Sequence, residues 1–196
     1  MLITSTKKVL STLLLLALIP LTYLTVVTDG WQFVAHSTSI SSTVIATILM
    51  MLAVGIWSAQ LGGRALWFVP LTFTGLMVIG TFLSYTHLSL AMANAGILLS
   101  VVVMGILICD GTRFSTLVAA GIVGFFALSH GYSYGRVLAN SGELEFYLAG
   151  IVLTGLILNL SGELSAQFFM QKSSKHIRVR VGGIILFAGI ILIMSY

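Results

Sequence analysis

Charge is what this sequence has least of. Only 7% of its 196 residues are Asp, Glu, Lys or Arg, against roughly a quarter in soluble domains, so the chain cannot surround itself with a water-facing surface. Cysteine is almost absent. The single residue, Cys109, excludes an internal disulfide framework and any CxxC metal site, and is read as an ordinary helix position. There is no P-loop, no GxGxxG after a strand, no HExxH and no haem-attachment motif, so ATP-driven transport by this chain alone has no support and an enzyme is not expected. Ser129 next to His130 is not a catalytic pair, since adjacent helical residues point about 100° apart and no carboxylate is placed to orient the imidazole. Nine Lys and Arg outnumber five Asp and Glu, for a net charge of +4. They sit in short links beside apolar runs, which is a topology signal and not a nucleic-acid surface.

What fills the chain is hydrocarbon, with 58% of residues hydrophobic. The pattern predicts an all-α integral membrane bundle of about seven transmembrane helices in one domain over 1–196. Spans are expected at 9–27, 40–58, 65–85, 89–109, 114–135, 146–168 and 179–195, with no soluble domain and no internal repeat. The first run, Val9 to Val27, follows Lys7 and Lys8. Nineteen residues at about 1.5 Å each nearly cross a roughly 30 Å core, longer than the apolar part of a signal peptide, and no small-x-small cleavage site follows. The run is therefore read as a retained first helix, bent by Pro20. Gly62-Gly63-Arg64 reads as a tight turn between the second and third spans, and Pro70 lies near the start of the third, where a missing amide hydrogen does least harm.

Seven spans alternate sides, and the basic residues test that count. With the amino terminus in the cytoplasm, Lys7, Lys8, Arg64, Arg113, Lys172, Lys175, Arg178 and Arg180 fall inside and only Arg136 outside, which places the carboxyl terminus outside. The same assignment puts His36, His87 and His130 near the outer face, Asn94 near the outer end of its helix, and Glu163 toward the inner side.

The stretch with most to say is Phe126-Ala-Leu-Ser-His130-Gly-Tyr132-Ser-Tyr134-Gly135, where an apolar run acquires an imidazole, two hydroxyls, two phenols and two glycines. Such groups need partners in hydrocarbon and should face other helices or a cavity. On an ideal helix His130 and Tyr134 share a face and Tyr132 lies roughly opposite, so all three converge only if the helix unwinds. The plainer reading is a helix end with interfacial tyrosines and one satisfied histidine. A second polar set, Asn159 and Glu163, is four residues apart on one helix face and should also turn inward. His130, His36, Asn94, Tyr132 and Tyr134 are the candidate metal or polar site near the outer face, with Asn159 and Glu163 as intramembrane polar residues.

The chain resembles the HupE/UreJ family of bacterial membrane proteins, associated with nickel or cobalt uptake for hydrogenase and urease. Leu52-Ala-Val-Gly-Ile-Trp-Ser-Ala-Gln-Leu-Gly-Gly-Arg-Ala-Leu-Trp67 reads like the family's second conserved region almost unbroken. The stretch from Phe126 to Gly135 stands where the family has FALxHGHAHG, with weaker similarity from Ala95 to Gly105 and Tyr147 to Gly162. The resemblance covers about residues 36–195 and implies the family's helical fold. The metal chemistry it implies is depleted here. The histidines and aspartate of HPxxGxDH fall on Ile40, Thr47 and Ala46; the later histidines of HGHAHG are Tyr132 and Tyr134, and the acidic residue after them is Val137. A glutamate in the fourth span reads Asn94, and a histidine in the sixth reads Asn159. His36 stands four residues before the first lost histidine and replaces it only if the loop shifts register.

Nickel and cobalt favour imidazole with carboxylate support, and one inherited imidazole remains. Three readings stay open: secondary transport of a divalent ion such as nickel or cobalt, an accessory or structural subunit that keeps the scaffold within a larger membrane complex or homo-oligomer, and a channel or carrier for another small solute. No tight cofactor is expected, with any nickel or cobalt at His130 held weakly. The lipid bilayer is the one partner that composition itself requires.

Overall fold

The computed structural model describes residues 42–84, 93–138, 144–170 and 175–195. They form six α-helices: α1 (Ser42–Leu61), α2 (Ala65–Leu83), α3 (Ala93–Asp110), α4 (Thr116–Leu138), α5 (Leu144–Met170) and α6 (Lys175–Met194). All six are long and apolar enough to cross a membrane. The expected span at 9–27, together with His36 and His87, lies outside the described residues. The other expected spans match these helices with ends displaced by a few residues.

Short links fix the direction of successive helices. Gly62 and Gly63 both have left-handed backbone, φ 70° and 57°, which glycine adopts without a Cβ penalty. Gly62 N donates to Ser58 O at 2.9 Å and Ala65 N to Gly62 O at 3.1 Å, so α1 closes and α2 opens within one turn. Gly111, φ 68°, ends α3 in the same manner by donating to Leu107 O at 3.1 Å. Pro70 is the sixth residue of α2. That is past the first turn, so its missing amide hydrogen removes a bond to the Leu66 carbonyl that a helix interior would otherwise make.

Three helix pairs make the most extensive contacts: α2 with α4, α3 with α6, and α1 with α5. Lipid offers little hydrophobic drive for helix association, so close backbone approach through small residues carries much of the packing. Each pair uses glycine from both sides. Gly131 of α4 lies on the Met77 carbonyl, and Gly80 of α2 on the Leu128 carbonyl. Gly55 of α1 lies on the Asn159 carbonyl, and Gly162 of α5 on the Leu52 carbonyl. Gly105 of α3 and Gly182 of α6 meet the backbones of Leu186 and Cys109. A Cβ at any of these positions would overlap backbone, so the spacing cannot relax by moving a side chain.

Cross-helix contacts also identify the two ends of the bundle. At one end the Arg178 guanidinium lies against Gly111, and Trp57 packs edge-on to Phe114 with centroids 6.0 Å apart. The α1–α2 turn, the α3–α4 link and the start of α6 therefore lie together, and Arg64, Arg113, Lys175, Arg178 and Arg180 lie with them. Gly135 lies against Ser84 at the opposite end, the end that carries Arg136.

Candidate functional site

His130 sits on α4 with no exposed surface, and three other helices reach it. Its Nδ1 is 2.9 Å from Thr47 Oγ1 on α1, and its Nε2 is 2.9 Å from Ser100 Oγ on α3. Phe73 on α2 meets the ring edge-on, with centroids 5.8 Å apart and planes at 61°. Tyr134, one turn further along α4, hydrogen-bonds to Thr47. Thr47 and Ser100 are themselves buried, so the cluster is closed off from the surface of the bundle.

Counting hydrogens constrains this cluster. The Thr47 hydroxyl also reaches Thr43 O at 2.8 Å, and the Ser100 hydroxyl reaches Ile97 O at 2.6 Å. Each hydroxyl owns one hydrogen, and a neutral imidazole is a donor at one nitrogen and an acceptor at the other. One hydroxyl therefore keeps its hydrogen on its own helix carbonyl and accepts from the ring, while the other gives its hydrogen to the ring. Exchanging the tautomer exchanges these roles, so α1 and α3 are tied to the same proton assignment.

α4 runs unbroken through this stretch, so His130, Tyr132 and Tyr134 do not converge by unwinding. Tyr134 joins the cluster through Thr47, whereas Tyr132, also buried, is turned about 200° from His130 around the helix axis. Asn94 lies in the first turn of α3, six residues or about 9 Å along the axis from Ser100. Ser129 packs its hydroxyl against Gly96 on α3 and is not bonded to the imidazole. His36 lies outside the described residues.

The decisive partners of His130 are not the residues that the sequence singles out. Thr47, which the resemblance sets at the position of a family histidine, faces His130 directly but offers only a hydroxyl. Ser100 is a lone hydroxyl in the apolar run from Ile97 to Ile108. Its isolation was the available signal, although only the rotation of α3 shows where it points. Among the described residues no three of His, Cys, Asp or Glu come together as a metal-binding group.

Asn159 and Glu163 form a separate region on α5. Both are buried, at 2% and 6% exposure, and Gly55 of α1 packs on the turn that joins them. Asn159 Nδ2 donates to Gly155 O at 2.7 Å, and Gln167 Nε2 donates to Glu163 Oε1 at 2.9 Å.

Comparison with known proteins gives the same family from two directions. The family model described as HupE / UreJ protein matches residues 45–192. The protein named Protein HupE from Rhizobium leguminosarum bv. viciae is 34% identical over 148 residues, covering 76% of this chain and 78% of that protein. No solved structure matches.

Proposed function

The chain belongs to the HupE/UreJ family, a membrane family associated with nickel and cobalt uptake, and from that premise we propose that it carries a divalent ion such as nickel or cobalt across the bacterial cytoplasmic membrane as a secondary carrier. The observation that supports this reading is the wholly buried imidazole of His130, held between hydroxyls from two other helices inside the bundle. An entering ion would take the lone pair of one ring nitrogen and displace one hydroxyl bond, with Thr47, Ser100 and Tyr134 offering oxygen ligands. Such oxygens are poor substitutes for imidazole toward late first-row ions. The site is therefore suited to brief occupancy by a passing ion rather than to retention. The end of the bundle that collects Arg64, Arg113, Lys175, Arg178 and Arg180 is taken as cytoplasmic, and the apolar run at 9–27 as a seventh span that keeps the amino terminus on that side.

One observation favours a second reading, the accessory or structural subunit. Both ring nitrogens of His130 are already hydrogen-bonded, so the cluster closes the bundle without any ion. Uptake of radioactive nickel and cobalt by cells expressing the chain separates the two. Uptake that falls to background in His130→Ala supports the carrier; no uptake, with stoichiometric co-purification of a larger membrane assembly, supports the subunit. Reporter fusions after Arg64 and Arg113 test the orientation, and periplasmic signals at both would reverse it.

A further inference from the structure

Buried hydroxyls in these helices ordinarily satisfy themselves on their own backbone. Ser58 and Thr81 donate to a carbonyl three or four residues back, and Thr47 and Ser100 each lie within hydrogen-bond distance of one. Thr74 on α2 does not: its Oγ1 is buried and has no hydrogen-bond partner among the described residues. Asn159 Oδ1 on α5 is in the same condition. Turning the amide over does not help, since it would set that oxygen against the Gly155 carbonyl that Nδ2 now contacts. Both residues are more than nine-tenths buried, where an unpaired oxygen is costly.

The two residues border the same glycine. Asn159 folds back onto the carbonyl of Gly155, and a Cβ placed on Gly155 would lie 3.5 Å from Thr74 Oγ1 and 3.6 Å from Met51 Cε, with nothing nearer. The backbone here leaves a methyl-sized cradle, unlike Gly55 or Gly131, where a Cβ would overlap a carbonyl. Thr74 supplies a hydroxyl that can donate, and Asn159 an oxygen that accepts, which is the pairing a single bridging water requires.

We propose that Thr74, Asn159 and the cradle at Gly155 form an internal hydration site between α1, α2 and α5, and that it continues the polar interior of the bundle from His130 toward Glu163. Register carries the second half. Thr47, Met51, Gly55 and Ser58 share one face of α1. Thr47 meets His130, Met51 meets the cradle, and Gly55 meets the Asn159–Glu163 turn. On α2, Phe73 touches His130 and its neighbour Thr74 borders the cradle. The hydration site stands on these contacts alone, whereas its use as a step in ion passage rests on the carrier reading.

Radiolytic hydroxyl labelling of the purified full chain, read by mass spectrometry, tests the site without any transport assay. Radiolysis of a held water oxidises its neighbours, so Met51, only 3% exposed, should be oxidised well above Met104 and Met50, which have no exposure. Gly155→Ala fills the cradle with a side chain that fits and should abolish the excess at Met51; Thr74→Val should do the same by removing the donor. Met51 labelling no greater than that of Met104 overturns the hydration site whatever uptake shows. Loss of labelling together with reduced nickel or cobalt uptake in Gly155→Ala supports the route, and unchanged uptake in that variant overturns it. A wild-type chain that takes up neither metal removes the carrier reading and the route with it, and the labelling then decides the hydration site by itself.

Discussion

The His130 cluster and the Thr74–Asn159 region meet the same demand, polar atoms inside a membrane bundle, in opposite ways. At His130 every ring nitrogen and each adjoining hydroxyl has a partner, and four helices contribute. At Thr74 and Asn159 two buried oxygens have no partner among the described residues. The adjacent glycines repeat the contrast. Gly131, next to His130, is pressed on the Met77 carbonyl, while Gly155, one turn from Asn159, has room for a methyl group. A polar site in lipid can be closed by side chains or left roomy enough for a small guest, and this molecule uses both solutions within one bundle.

The sharpest way to break that comparison is to make the same substitution at both glycines. Gly131→Ala drives a Cβ into backbone and should destabilise the bundle by about 3 kcal/mol, seen as a large fall in thermal unfolding temperature. Next in size is Thr47→Val, which keeps the shape but removes the bonds to His130 and Tyr134; about 2 kcal/mol of stability should go, because a buried ring nitrogen loses its partner. Ser100→Ala should cost about 1.5 kcal/mol, because Nε2 of His130 loses its partner while the Ile97 carbonyl returns wholly to the helix ladder. Thr74→Val removes one buried oxygen that has no protein partner but also the donor that holds the water on Asn159, two opposed terms whose net effect should stay within about 1 kcal/mol of zero. Gly155→Ala should be the mildest and near neutral, since a gain of about 1 kcal/mol from helix propensity offsets a similar loss when the displaced water leaves Thr74 and Asn159 unpaired. Equal losses at Gly131 and Gly155, or at Thr47 and Thr74, would erase the distinction between the two regions.

Much of the helical framework is legible in the chain itself. The turn at Gly62-Gly63 and the stop at Gly111 follow from glycine's access to left-handed backbone, and the apolar runs set the six described spans to within a few residues at most ends. His130 is also visible, as an imidazole in hydrocarbon. Its partners are not, and the reason is physical. Thr47 and Ser100 lie 83 and 30 residues from it in the chain, so meeting it depends on how α1 and α3 rotate about their axes. Helices that are apolar on all sides carry little amphipathic signal for rotation. Tyr132 shows the complementary case: its chemistry makes it a candidate, and an unbroken α4 turns it about 200° from the imidazole. Thr74 is not legible in the sequence, because a threonine in an apolar run normally bonds to its own helix and only the geometry shows that this one does not.

The glycine-packed pairs give the imidazole a mechanical meaning. Each pair is locked internally by backbone contact: α1 with α5, α2 with α4, α3 with α6. Thr47 belongs to the first pair, His130 and Phe73 to the second, and Ser100 to the third. The two hydrogen bonds of one ring therefore join all three pairs at one place, beside the packing contacts that also connect them. A ligand that takes Nδ1 removes the ring's bond to the first pair while leaving the Thr47–Tyr134 bond, and a ligand that takes Nε2 removes its bond to the third. Occupancy of that ring is thereby coupled to how the pairs are held together, with no need for any helix to bend.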